Sequence, residues 1–93
     1  MISKIYPDLL PQETVWNFKY NSGILIEKTK YLGSRSKKVY LYDENQNCIS
    51  ITEYFDEKVA NKHMYLYKND FLSEEIIYDE FNEPIVKYVF ELQ

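Results

Sequence analysis

Residues 39–80 read VYLYDENQNCISITEYFDEKVANKHMYLYKNDFLSEEIIYDE, and this stretch decides the fold. Val39-Tyr40-Leu41-Tyr42 recurs 25 residues later as Met64-Tyr65-Leu66-Tyr67. Each copy leads into a polar turn, then a mixed strand, then an aromatic-Asp-Glu triplet: Phe55-Asp56-Glu57 in the first, Tyr78-Asp79-Glu80 in the second. The alternation within each copy has a period of two residues, the signature of a strand rather than a helix. A unit of about 24 residues therefore encodes one two-stranded hairpin, with tyrosine at the strand ends and Asp, Glu and Asn in the turns. Asp and Asn bond their own following backbone and tolerate turn geometry. The aromatic beside each turn packs across to the next strand.

Working outward from this core, the pattern predicts seven strands: Thr14–Tyr20, Ile24–Tyr31, Lys37–Tyr42, Cys48–Phe55, about Asn61–Tyr67, Phe71–Tyr78 and Ile85–Leu92. Trp16, Phe18 and Tyr20 share one face of the first, and Val86, Tyr88, Phe90 and Leu92 one face of the last. Every link is about three to six residues, too short for the crossover that parallel neighbours require. The expected fold is all-β: an antiparallel meander of about seven strands, a twisted single sheet or half-barrel, with a short irregular N-terminal arm over residues 1–12 in which Pro7–Leu10 offers one helical turn. Glu57–His63 offers a rival helical turn, but seven residues are too few to hold a helix alone. The hairpin reading is preferred there.

At 93 residues the chain reads as one domain, repeat-like from about residue 38. A chain of this size buries only about 60–65% of the surface its unfolded form exposes, so its core is expected to be thin and aromatic. Ten Tyr, five Phe and one Trp fit that expectation. The largest apolar face should serve as a ligand surface or as the contact with a second copy. Cys48 is the single cysteine, which excludes an internal disulfide framework. Met1–Leu10 lacks the apolar run of a signal peptide, and no stretch approaches the ~18 apolar residues of a membrane span. A reducing, cytoplasmic location is the expectation.

Charge is distributed unevenly. Residues 1–41 carry seven Lys and Arg against three Asp and Glu, while residues 42–93 carry four against twelve. The acidic half disfavours phosphate binding and favours a basic partner or simple solvation.

Individual chemical candidates are weak. Cys48 has no CxxC partner and His63 no triad logic; alternation places His63 on one face with Tyr65 and Tyr67. The doublets Asp43/Glu44, Asp56/Glu57, Glu74/Glu75 and Asp79/Glu80 are adjacent in sequence, so on a strand they point to opposite faces and form no catalytic dyad. Asp43–Asn47 is rich in oxygen but lacks the spacing and glycine of a calcium loop. Lys28, Lys30, Arg35, Lys37 and Lys38, near Tyr31, Tyr40 and Tyr42, could make a stacking platform for nucleic acid. A solvated hairpin tip that guards the sheet edge is the preferred reading. No catalytic residue, metal ligand or cofactor is expected, and nucleic acid is disfavoured as a partner.

The segments Tyr42-Asp43-Glu44-Asn45-Gln46-Asn47-Cys48-Ile49, Tyr67-Lys68-Asn69-Asp70-Phe71-Leu72-Ser73-Glu74 and Tyr78-Asp79-Glu80-Phe81-Asn82-Glu83-Pro84-Ile85 resemble the repeats of MORN-like repeat antitoxins (YwqK-type), in degenerate form. A weaker resemblance is to the YD repeats of polymorphic-toxin shells. The similarity covers about residues 38–92. The family's turn glycine is absent: Gln46, Asp70 and Asn82 or Glu83 stand in its place, leaving the turn type open. The resemblance implies a non-enzymatic antitoxin or immunity protein that neutralises a toxin by direct binding. The alternatives are a self-assembling structural repeat domain and an acidic phage-type inhibitor that mimics nucleic acid. The expected partner is a basic protein such as a nuclease toxin. The expected partner-binding residues are the turn acids Asp43, Glu44, Asp56, Glu57, Asp79 and Glu80 with the tyrosines Tyr42, Tyr54, Tyr67 and Tyr78.

Overall fold

The computed structural model describes residues 14–91; the arm over residues 1–12 and the turn at Pro7–Leu10 lie outside the described residues. Seven strands form one sheet in sequence order: β1 (Thr14–Asn21), β2 (Ile24–Leu32), β3 (Ser36–Tyr42), β4 (Cys48–Phe55), β5 (Lys58–Lys68), β6 (Phe71–Tyr78) and β7 (Pro84–Val89). All six neighbouring pairs are antiparallel. The sheet is open, with β1 and β7 at its two edges. No described helix is long and apolar enough to cross a membrane.

At Glu57–His63 the preferred hairpin forms and the rival helical turn does not. Glu57 ends a two-residue turn and β5 begins at Lys58, three residues before the alternation announces it. Ala60 is the cause: Glu53 pairs Asn61 and Tyr54 pairs Val59, so Ala60 is an extra residue that breaks the period. The same device recurs with Ile26, Ile49, Ser73 and Ile85. In each of these five hairpins a tyrosine (Tyr20, Tyr42, Tyr54, Tyr67, Tyr78) takes the first pairing on the turn side of the bulge. The repeat read from the sequence is thus a tyrosine-turn-bulge unit, and each bulge adds local twist.

Two turn designs recur in the five bulged hairpins. Ser22-Gly23, Asp56-Glu57 and Asn69-Asp70 have positive φ at both residues, the mirror-image turn whose twist matches antiparallel strands. Asp43–Asn47 and Asp79–Glu83 are longer loops of one shared design. Gln46 N–H donates to Asp43 O and Asn82 N–H to Asp79 O, each at 3.0 Å, and Gln46 and Asn82 take φ of 68° and 64°. The residues standing in for glycine, Gln46, Asp70 and Asn82, therefore do occupy the left-handed region; Glu83 does not.

Among the described residues no hydrophobic side chain is fully buried. Thr29 (8% exposed) and Ser50 (3%) are the buried polar side chains, both in the middle of one face. The radius of gyration, 16.0 Å, exceeds the roughly 12 Å of a compact domain of this length. One layer with two open faces explains both facts. Cohesion comes from ladder hydrogen bonds and cross-strand side-chain pairs.

Candidate functional site

A meander sends alternate turns to opposite ends of the strands. One end carries the β1–β2, β3–β4 and β5–β6 turns, hence Tyr42, Asp43, Glu44, Tyr67 and Asp70. The other carries the β2–β3, β4–β5 and β6–β7 turns, hence Arg35, Tyr54, Asp56, Glu57, Tyr78, Asp79 and Glu80. Strands of seven or eight residues hold the two ends roughly 23–26 Å apart. The ten residues expected to bind a partner therefore form two groups rather than one.

Within each group the acids divide by role. Asp43 Oδ1 accepts the backbone N–H groups of Asn45 and Asn47, both at 2.9 Å. Asp79 Oδ1 accepts those of Phe81 (2.9 Å) and Glu83 (3.0 Å). These two carboxylates build their loops. Asp56 faces Arg35, whose Nε donates to its Oδ1 at 2.7 Å and whose Nη2 donates to Oδ2. The Asp56 N–H also donates to Arg35 O at 2.8 Å. The guanidinium hydrogen bonds hold the Asp56 carboxyl below its ordinary value. Arg35, read from sequence as part of a basic loop, thus staples the β2–β3 turn to the β4–β5 turn and neutralises Asp56. Glu44, Glu57 and Glu80 are exposed.

The neighbouring turns at the first end are stapled as well. Asn45 Nδ2 and Asn47 Nδ2 donate to Asp70 Oδ1 at 3.2 and 3.3 Å, and Gln46 Nε2 donates to Leu25 O at 3.1 Å. In the Asp43–Asn47 segment, Asp43 Oδ1 and the side-chain amide nitrogens of Asn45, Gln46 and Asn47 are engaged in these bonds, and no metal-holding cluster of three His, Cys, Asp or Glu occurs among the described residues.

The four tyrosines are half-buried. Tyr42 lies under Lys28 (5.8 Å), Tyr54 under Lys37 (5.0 Å), and Tyr67 Oη donates to Cys48 O at 2.7 Å. Tyr20, Phe55 and Phe71, beside turns, are 60%, 52% and 57% exposed, and the most exposed large hydrophobic side chain among the described residues is Phe81, 77% exposed, at the tip of the β6–β7 loop between Glu80 and Asn82. The equivalent position in the β3–β4 loop is Asn45, which turns sideways to Asp70. Sequence reasoning missed Phe81. Its signal was an aromatic residue inside an otherwise polar Asp-Glu-x-Asn-Glu turn, where no strand could bury it.

The remaining candidates sort by face. Register places Trp16, Phe18, Lys28, Lys30, Lys38, Tyr40, Ile51, Glu53, His63, Tyr65, Glu75 and Tyr88 on one side, the aromatic face. Tyr31, Lys37, Tyr54 and Tyr78 lie on the opposite side. The five basic residues grouped by sequence are thereby dispersed: Lys28, Lys30 and Lys38 on the aromatic face, Lys37 behind, Arg35 at the tip. Lys28 Nζ sits 4.9 Å from the Trp16 ring and 5.0 Å from Tyr40, and Lys30 Nζ 5.3 Å from Trp16. Such cation–aromatic contacts hold the ammonium groups in place without removing their charge.

His63 shares this face with Tyr65, its ring stacked at 6.4 Å, and its Nδ1 lies 2.9 Å from Glu75 Oε2. Asn61 Nδ2 donates to Glu53 Oε1 at 2.9 Å. Lys38, Ile51, Glu53, Asn61, His63 and Tyr65 line a shallow hollow of about 220 Å³. Burial, then the neighbouring Glu75 carboxylate, pushes the Tyr65 hydroxyl up to about 12. Cys48 is half-buried, its thiol 3.5 Å from Ser50 O and pushed up by burial. A raised thiol is a poor nucleophile, and no base is placed against it. A larger hollow of about 470 Å³ lies between the β5–β6 turn and the end of β7, lined by Phe71, Leu72, Val89 and Phe90 with Lys68 and Glu74. No protein-family model, curated protein or solved structure matches this chain.

Proposed function

We propose that the protein is a non-enzymatic binding protein of the antitoxin or immunity kind, which neutralises a basic protein partner such as a nuclease toxin by docking the β6–β7 end of its sheet. The observation that carries this reading is Phe81. It projects from a loop whose backbone is fixed by Asp79, and it is flanked by Glu80 and Glu83, with Glu57 on the neighbouring turn of the same end. A pre-ordered aromatic ringed by carboxylates loses little entropy on binding and suits a cationic pocket with an apolar floor. The acids steer encounter and the aromatic sets the lifetime of the complex.

The test is purification of the chain from its native host and identification of what accompanies it. A stoichiometric basic protein is expected. Phe81→Ala should speed its dissociation on the order of thirtyfold, the effect of a hot-spot residue. Reversing Glu57, Glu80 and Glu83 to Lys should slow association and flatten its salt dependence. Asp79 is left intact because it builds the loop. An acidic protein or a nucleic acid as the partner, or an unchanged dissociation rate in Phe81→Ala, would refute the reading.

A further inference from the structure

A sheet with an apolar face is stable when a second layer covers that face, and the described residues supply no second layer. We infer that the aromatic face is a self-association surface on which a second copy of the chain packs face to face, about a two-fold axis parallel to the strands. The choice of face rests on how each face treats its own side chains. On the opposite face two lysines meet carboxylates within the sheet, Lys19 with Glu27 at 3.8 Å and Lys87 with Glu74 at 3.3 Å. The aromatic face gathers Trp16, Phe18, Tyr40, Tyr65 and Tyr88, and its lysines Lys28 and Lys30 rest on rings rather than on carboxylates.

Charge then selects the occupant and the axis. Along the strand order this face is basic at β2 and β3 (Lys28, Lys30, Lys38) and acidic at β4 and β6 (Glu53, Glu75). A two-fold parallel to the strands lays β2 of one copy over β6 of the other, so Lys28 lies over the row of Ile77, two residues along β6 from Glu75, which His63 already contacts at 2.9 Å. A two-fold across the strands would lay β2 over β2 and set lysine against lysine, whereas the axis parallel to the strands sets only Glu53 of the central strand against its own copy, with Lys38 in the same row one strand away. The surface is large enough. Six gaps of ~4.8 Å by seven residues of ~3.3 Å give on the order of 700 Å² in projection, close to the ~800 Å² per partner of a standard interface. The product is a two-layer sandwich in which each copy keeps its Phe81 end free.

Sedimentation velocity over a wide range of concentration tests this directly, with circular dichroism confirming a folded sheet in every variant. A concentration-dependent dimer is expected. Ile51→Lys, at the centre of the aromatic face on β4, should abolish it, and Thr52→Lys, on the opposite face of the same strand, should leave it. Should Ile51→Lys fail to fold, the charge pair decides. Lys28→Glu should weaken the dimer on the order of tenfold, and adding Glu75→Lys should restore it. A monomer at all concentrations, a dimer lost through Thr52→Lys, or a charge reversal without effect overturns the inference.

Discussion

Removing the Asp43 carboxylate should unfasten one end of the sheet. In Asp43→Ala the N–H groups of Asn45 and Asn47 lose their shared acceptor, Oδ1, at 2.9 Å each. A hydrogen bond of this kind contributes about 0.5–1.5 kcal/mol net, and the analogous loss at a helix cap costs about 1 kcal/mol. Because the site is only half-buried, water recovers part of each bond, and the expected total is about 1–2 kcal/mol. For a domain of this size 1 kcal/mol moves the melting temperature by roughly 4–8 °C. Asp43→Asn keeps an oxygen acceptor and should lose less than half as much. Asp79→Ala removes the same two bonds in the sister loop and should match the lower end of the range. Asp43→Ala should exceed it, because Asn45 and Asn47 also hold Asp70 on the next hairpin. Glu44→Ala, an exposed neighbour of equal charge, should fall within about 0.5 kcal/mol of wild type. Thermal and urea melts of these four variants settle the matter: if Asp43→Ala and Glu44→Ala are indistinguishable, the carboxylate acts by charge alone and the loop-building role is wrong. The result also governs any charge-reversal study, since Asp43→Lys or Asp79→Lys would damage the fold as well as the surface.

Glu57→Gly should stabilise the protein by about 0.5–1 kcal/mol, because Glu57 takes a φ of 65° at the second position of its turn, a position that favours glycine; a lower melting temperature would mean that the glutamate side chain outweighs its backbone strain. Tyr65 should be a late tyrosine in an ultraviolet pH titration. Its hydroxyl is raised from an ordinary 10.0 to about 12 by burial and by Glu75, so the fold favours its neutral form. That contribution is intact below pH about 10 and fades as pH rises from there through about 12. Tyr65→Phe should therefore remove one late ionisation and resist alkaline unfolding better than wild type across that window, and a titration curve unchanged by the substitution would contradict the assignment.

The one-dimensional pattern was enough for everything governed by local chain physics. Short links and period-two alternation dictate antiparallel neighbours, so the seven-strand meander was legible before any contact was known. The positions that replace the turn glycine were legible too, since Asn and Asp are the side chains that best replace it, but the turn type and the choice of Asn82 over Glu83 were not. Even so, a single inserted residue defeated the reading of β5: Ala60 shifts the alternation, and Lys58-Val59-Ala60 no longer looks like strand although it pairs with Tyr54 and Phe55.

What the tertiary structure alone decided were the facts that depend on register and on partners distant in sequence. Arg35 and Asp56 are 21 residues apart, and Asn45 and Asp70 are 25 apart. Only the strand order brings those turns side by side and converts acids that look free into staples. The division of the turn acids between two ends follows from the meander's reversal at every hairpin, which no doublet in the sequence reveals. The lack of any fully buried hydrophobic side chain among the described residues is likewise beyond composition. Ten tyrosines fit a thin core and an uncovered layer equally well, and the choice depends on whether the sheet closes, folds over or stays flat. The exposure of Phe81 depends on the same geometry: at the outer tip of the β6–β7 loop, at an edge of the sheet, no neighbouring strand lies beyond it to cover the ring.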